Sequence, residues 1–164
     1  MTDRAANIQH LASLIKDVEI AMLTTTQADG RLVSRPLGTQ QVEFDGDLWF
    51  ATAADSEKVA EIRANPQVNV SYASAGKNTY VSVSGKASIV ADRAKIEALW
   101  SPPMKIFFPE GKDDPNLRLI RVRAESAEYW DGPGTVIGKA LYLLVAAVSD
   151  DLGAMSDNET LQIR

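Results

Sequence analysis

No cysteine occurs among the 164 residues. Disulfides, thiolate zinc sites, iron–sulfur clusters and cysteine nucleophiles are thereby excluded. Histidine is almost as scarce: His10 is the single one. A multi-histidine metal site is excluded, and any Ser-His-Asp triad would have to use this residue. His10 lies at the edge of an apolar helical stripe, an ordinary place for a rim histidine. Long apolar runs are missing as well. No uninterrupted stretch reaches the roughly 20 residues that cross a bilayer, and the opening MTDRAANIQHLASLIKD is too polar for a secretory leader. The expectation is a soluble cytoplasmic protein with no membrane partner.

Positive charge is in deficit. Lys and Arg number 17 against 22 Asp and Glu, a formal net charge of −5, which argues against broad nucleic-acid binding. One local basic pocket for a single phosphate remains compatible with it. What the chain does have is an ordinary globular balance, 45% hydrophobic and 24% charged residues, in a length that suits one domain with a substantial core. The expected division is a domain over residues 1–150 and a tail over 151–164 that adds an edge strand to it.

Ile8, Leu11, Leu14, Ile15 and Val18 recur at helical spacing and predict an opening amphipathic helix. A β-prone run over 20–26 turns through Ala28-Asp29-Gly30 into a second over 31–39. Residues 41–44, Asp45-Gly46 and 48–52 read as a tight hairpin with a type I′ turn. Asp55 or Ser56 caps a short helix that Asn65-Pro66 stops. Strands follow over 68–74 and 79–90, where Val81, Val83 and Gly85 share one face. A helix from Asp92 to Trp100 ends at Pro102-Pro103. Residues 117–124 and 126–130 read as a last long hairpin, 140–148 as a buried helix, and 160–163 as an edge strand. This order favours an antiparallel barrel over a parallel sheet.

Gly132-Pro133-Gly134 with Gly138-Lys139 invites a phosphate-loop reading, but a Walker loop needs glycine at Pro133 and a dinucleotide fingerprint needs it at Ile137. The segment is read as a connection. Arg118, Arg121 and Arg123 are read as a solvated strand face or as salt-bridging residues at a dimer contact rather than a nucleic-acid site. Met104, Phe107 and Phe108 form an apolar loop that fits core, dimer contact or pocket wall equally. More informative is Ser34-Arg35-Pro36-Leu37, followed by Leu48-Trp49-Phe50-Ala51-Thr52 and Asp55-Ser56-Glu57-Lys58. One hairpin brings together a strand end, a hydroxyl and a helix N-terminus bearing a lysine. Helix N–H groups attract a phosphate, Ser56 and Lys58 add charge-assisted hydrogen bonds, and Arg35 supplies a second cation. A capped surface helix with no ligand has the same local sequence.

The ordered set Arg35-Pro36, Trp49-Phe50-Ala51-Thr52, Ser56-x-Lys58, Asn65-Pro66-x-Val68, residues 80–87 (YVSVSGKA), Leu99-Trp100-Ser101-Pro102, Pro109-x-Gly111 with Asp113-Asp114-Pro115, and Ala127-Glu128-Tyr129-Trp130 resembles the general stress protein family of the pyridoxamine 5′-phosphate oxidase-like superfamily. The resemblance runs from about residue 8 to 131. It implies a mainly β (α+β) fold, the antiparallel six-stranded FMN-binding split barrel with small peripheral helices. It also implies a homodimer with FMN at the subunit interface. By that resemblance Arg35, Pro36 and Leu37 line the flavin ring, Phe50, Ala51 and Thr52 form the second strand of that wall, and Ser56 and Lys58 bind the phosphate. Tyr80 falls where a partner strand approaches the cofactor, and Trp130 matches a tryptophan that reaches the neighbouring subunit's site.

The departures are as telling. Oxidases of this superfamily continue past the Tyr129-Trp130 position with an Arg-Leu-His-Asp-type substrate motif, where this chain reads Asp131-Gly132-Pro133-Gly134-Thr135. They carry a basic pair where this chain has Glu57-Lys58, and a lysine where it has Gln40. Vitamin B6 oxidation is therefore not expected. Three functions stand open: a flavin-binding stress protein without turnover, a flavin- or deazaflavin-dependent oxidoreductase on a small substrate, and a cofactor-free interaction module. No residue stands out as a dedicated catalytic acid or base.

Overall fold

The computed structural model describes residues 4–40, 44–132 and 157–163. Helix α1 (Arg4–Ile15) leads into β1 (Ile20–Thr26), β2 (Leu32–Gly38) and β3 (Asp47–Ala53). Helix α2 (Glu57–Ala64) separates β3 from β4 (Gln67–Ser74), and β5 (Thr79–Val90) follows. Helix α3 (Arg93–Leu99) and two short 3-10 turns, Pro102–Ile106 and Gly111–Asp113, precede β6 (Leu117–Asp131) and β7 (Asp157–Gln162). The strands form one antiparallel sheet in the order β2-β1-β4-β5-β6-β3, with β7 added along β6. The mainly antiparallel split-barrel reading holds, and a strand expected over 160–163 is observed as β7, Asp157–Gln162.

Alternation along the strands builds the core. Ala21, Leu23 and Thr25 of β1 point inward with Val68, Val70 and Tyr72 of β4, Val81 and Val83 of β5, and Leu48 and Phe50 of β3. Leu11 and Ile15 of α1 and Ile62 of α2 close the ends of this cluster. A second cluster, Ile96, Leu99, Met104 and Phe108, covers the opposite side of β3 and β6 around Leu117 and Leu119. That arrangement explains why the consecutive Leu119 and Ile120 are both fully buried: β6 has packing on both faces there. Asp92 caps α3, its carboxylate accepting from the Lys95 N–H at 2.9 Å.

Three local expectations change. Residues 117–131 form one continuous strand rather than a hairpin. A two-residue hairpin loop needs positive φ angles, and Glu125 alone lies between the two segments. The strand instead bulges at Glu125. Ser84 faces Ser126 while the adjacent Gly85 faces Ala124, and the Glu125 carbonyl accepts from the Ile163 N–H at 2.9 Å. Residues 41–43 of the expected hairpin over 41–52 lie outside the described residues. Its turn is not type I′, because Gly46 has φ of 111° while Asp45 does not adopt positive φ. Asp45 acts through its side chain, accepting from the Asp47 N–H at 3.1 Å. Pro102-Pro103 ends α3 as expected but also starts a 3-10 turn, consistent with proline at a first helical position. The expected helix over 140–148 lies outside the described residues.

Gly85 makes this register possible. A Cβ there would sit 2.3 Å from the Arg123 carbonyl oxygen and 3.1 Å from the Ala124 Cα, both backbone atoms held in the β5–β6 ladder. Gly85→Ala is expected to destabilise the chain by about 1–3 kcal/mol, the usual cost of forcing extra volume into packed structure. Urea unfolding checks this; an unchanged midpoint would show that the two strands can separate without cost.

Candidate functional site

The sheet does not close on itself. Among the described residues β2 pairs only with β1, and β3 only with β6, so each presents one unpaired backbone edge. Between those edges lies a cleft of about 840 Å³, a size typical of small-molecule sites. One side is Pro36, Leu37 and Gly38 of β2, continuing into Thr39 and Gln40; the other is Ala51, Thr52 and Ala53 of β3. Pro36 has no N–H to offer, a residue suited to an edge strand. The third wall comes from the end of α3 and the turn after it, with Trp100, Met104 and Phe107. Phe107 is 78% exposed, an aromatic ring left standing at the rim.

One end of the cleft is polar. Lys58, in the first turn of α2, donates to the Ser56 hydroxyl at 3.1 Å and to the Thr52 hydroxyl at 3.2 Å; the two hydroxyl oxygens are themselves 3.2 Å apart. Ser56 occupies the N-cap position of α2, yet its side chain makes no cap hydrogen bond. Its hydroxyl is turned to the lysine, so the first N–H groups of the helix lack a side-chain acceptor. Lys58 is partly desolvated, which lowers its pKa below the usual lysine value; the Arg35 charge lowers it further and Glu61 opposes both. Among the described residues its contacts are neutral hydroxyls and no carboxylate pairs with it. A half-buried ammonium among neutral donors and acceptors at a helix N-terminus is an arrangement that favours a negatively charged group.

Behind the lysine lies a compact ion pair. Arg35 Nη1 donates to Glu61 Oε2 at 3.0 Å and to the Thr25 hydroxyl at 2.7 Å, while that hydroxyl donates to the same carboxylate oxygen at 2.6 Å. Both side chains are largely buried, Arg35 at 19% and Glu61 at 11% exposure. The Thr25 hydrogen bond, then the Arg35 hydrogen bond and charge, hold Glu61 below the usual carboxylate range despite its burial. Glu61 therefore stays ionised, and Arg35 stays committed to it.

Of the residues singled out from the sequence, Pro36, Leu37, Ala51, Thr52 and Lys58 line the cleft together, and Ser56 joins them through its hydrogen bonds. Arg35 does not line it: its position on β2 places the side chain on the face toward α2, where Glu61 and Thr25 hold it. Phe50 points into the core and is 1% exposed, because inward and outward positions alternate along β3. Tyr80 and Trp130 form a cross-strand pair between β5 and β6, on the outer face of the sheet and away from this chain's own cleft lining. The basic stretch on β6 is partly spent locally, since Arg121 pairs with Asp47 at 2.5 Å. Sequence reasoning missed Glu61 and Thr25, which no local motif marks. Of the three roles open to the apolar loop of Met104, Phe107 and Phe108, Met104 and Phe108 fill two at once, core and cleft wall.

Comparison with known proteins agrees with this geometry. Residues 6–152 match the family described as pyridoxamine 5′-phosphate oxidase like. The chain is 30% identical over 142 residues to protein bli-3 of Neurospora crassa, covering 80% of this chain and 68% of that protein. It is 33% identical over 81 residues to general stress protein 26 of Bacillus subtilis, covering 48% of this chain and 57% of that protein. A crystal structure of the general stress FMN/FAD binding protein from Xanthomonas citri superimposes with a TM-score of 0.69 at 26% identity, over 80% of this chain and 93% of that one. A split sheet, a cleft between its two open edges and a family match over most of the length lead to one assignment: the chain belongs to the pyridoxamine 5′-phosphate oxidase-like family, in its general stress protein branch.

Proposed function

We propose that this chain is an FMN-binding stress flavoprotein that works as a homodimer in the cytoplasm and does not oxidise vitamin B6. The observation that carries the reading is the Lys58 ammonium, partly desolvated and held by two neutral hydroxyls at a helix N-terminus. An FMN phosphate would supply the missing negative charge, accepting from Lys58, Ser56, Thr52 and the first N–H groups of α2. The unpaired edges of β2 and β3 offer backbone donors and acceptors to the polar rim of a flat ring, and Pro36, Leu37 and Ala51 offer apolar surface to its faces. When bound, the flavin supplies the capacity for hydride and electron transfer. The chain's own residues bind and orient it.

Homodimerisation is supported by the outer face of the sheet. Ile20 and Met22 of β1, Tyr80 of β5 and Trp130 of β6 are exposed there, and a patch of this kind favours a partner surface. The absence of vitamin B6 oxidation is supported by Gln40, which lines the cleft where the oxidases carry a lysine, and by the replacement of their substrate motif after Trp130. A second reading, a flavin- or deazaflavin-dependent oxidoreductase, draws on the apolar third wall. Trp100, Met104 and Phe107 lie beyond the strand edges and leave apolar surface for a small substrate. Reduction of the flavin-loaded protein by NADH or NADPH under anaerobic conditions, followed by addition of acceptors, separates the two; complete inertness rejects the oxidoreductase.

Three measurements test the main reading. Lys58→Ala is expected to weaken FMN by about 1.5–3 kcal/mol, the value of a charged hydrogen bond, and to leave riboflavin nearly unchanged; equal losses for both ligands would remove the phosphate from Lys58. The pH dependence has a definite sign. The ammonium form binds phosphate, so FMN affinity is full below the lowered pKa of Lys58 in the free protein and falls as pH rises through it. Titrating FMN and riboflavin from neutral to strongly alkaline pH checks this, and a constant ratio of the two affinities contradicts it. Sedimentation of the flavin-loaded protein is expected to give twice the chain mass; a monomer with flavin bound refutes an interface site.

A further inference from the structure

The inner side of the sheet holds a second pocket, of about 350 Å³, beside the last turn of α1. Its described lining includes Ala12 and Ile15 of α1, Phe44, Leu48 and Phe50 of β3, and Tyr72 of β4. All of these but Ala12 belong to the main core cluster, so packing fixes the floor of the pocket. Protein interiors leave few voids larger than a water molecule, and an apolar space of this size has the dimensions of a ligand site.

Tyr72 gives the pocket its chemistry. The residue is 5% exposed, and its hydroxyl has no hydrogen-bond partner among the described residues, although a buried tyrosine hydroxyl ordinarily finds one. No fully buried side-chain polar atom among the described residues lacks a partner. The hydroxyl is therefore the part of Tyr72 that reaches open space, and the pocket it lines is that space. Burial pushes its pKa up, so it stays protonated and offers a hydrogen to an acceptor. Other polar groups of the lining are engaged elsewhere. The Ser13 hydroxyl donates to the His10 carbonyl at 2.6 Å, the Thr39 hydroxyl to the Val18 carbonyl at 2.7 Å, and Asp47 pairs with Arg121. Exposed Lys16 and half-buried Gln40 complete the polar lining.

We propose that this pocket is a second small-molecule site, taking a neutral two-ring aromatic that carries one oxygen acceptor for Tyr72. Size sets the ring count, since an apolar cavity of about 150 Å³ takes benzene and this pocket is roughly twice as large. Phe44, Phe50 and the Tyr72 ring supply aromatic surface. The core residues around the hydroxyl carry no charge, which disfavours a buried carboxylate. Tyr72 lies on the opposite side of the sheet from Tyr80, whose cross-strand partner is the next residue, Ala73. A second copy on that outer face leaves the pocket open. Thr39 and Gln40, just past the end of β2, line both this pocket and the cleft, so the two sites have to be separated by competition.

The test is equilibrium dialysis of the full chain at neutral pH with two probes, 2-naphthol and naphthalene, with and without saturating FMN. 2-Naphthol is expected to bind at one site per chain and to keep its affinity within about twofold when FMN is added. Tyr72→Phe is expected to weaken 2-naphthol by roughly threefold to tenfold, the equivalent of one ordinary hydrogen bond, and to leave naphthalene unchanged. Ala12→Phe places a ring in the pocket from the helix side and is expected to weaken both probes more than about tenfold. If that variant fails to fold, Tyr72→Phe still decides the matter. No binding of 2-naphthol, or its loss when FMN is added, overturns the site. A Tyr72→Phe chain that holds 2-naphthol as tightly as before, or loses both probes equally, overturns the hydroxyl as the recognition group and the oxygen-bearing ligand class with it.

Discussion

Everything about this site depends on a ladder that is not made. Between β2 and β3 the sheet stays open among the described residues, and two strand edges that would cost stability if buried unpaired are left facing a cleft. A closed barrel would satisfy those groups internally and leave no room for a ligand. An open edge on the surface would invite pairing with another chain. Placing both edges on one cleft reconciles these demands, because solvent or a flat polar ligand can satisfy the backbone there. Pro36 fits this arrangement: it removes a donor from the edge strand and adds apolar surface at the same place.

The rest of the fold holds the two edges apart at a fixed spacing. β6 is the spine of the sheet: β5 pairs along it from Leu119 to Asp131, while β3 and β7 pair with it over 117–123 and 126–131. The bulge at Glu125, where Gly85 comes close to Arg123, falls between the part of β6 that carries β3 and the part that carries β7, and a bulge bends and twists its strand. Helix α2 then packs Val59 and Ile62 inward and lets Lys58, one residue before Val59, reach back toward Thr52. The same helix supplies the lysine and Glu61, three residues on, so one element positions both the cleft ammonium and the carboxylate that holds Arg35. Helical spacing puts these two side chains on one face.

Much of this was legible in the sequence. Alternation gave β1, β4 and β5 nearly to their ends, and local pattern placed Ser56 and Lys58 together at the start of a helix, where they do meet. Less legible was anything that depends on pairing across the sheet. Glu125 reads as a turn because a bulge leaves no sign in composition, and only the Gly85 register across from it reveals that the strand continues. Arg35 reads as a cleft cation because its partner Glu61 is 26 residues away. The direction of a side chain on β2 depends on a face assignment that one strand cannot make for itself. Met104 and Phe108 stayed ambiguous for a physical reason: they are core on one side and cleft wall on the other, so no single role describes them.

The Arg35–Glu61 pair changes what the resemblance to the flavin family implies for this chain. A buried ion pair is weak evidence of stability, since desolvation offsets much of its Coulomb energy, and an apolar pair of similar size would fill the same space. Its effect here lies in the field it removes. With Arg35 committed to Glu61, Lys58 is the ammonium that lines the cleft among the described residues, and its neighbours there are the Ser56 and Thr52 hydroxyls. Any anion the cleft takes would meet that ammonium and the start of α2 rather than the Arg35 guanidinium, which Glu61 already occupies.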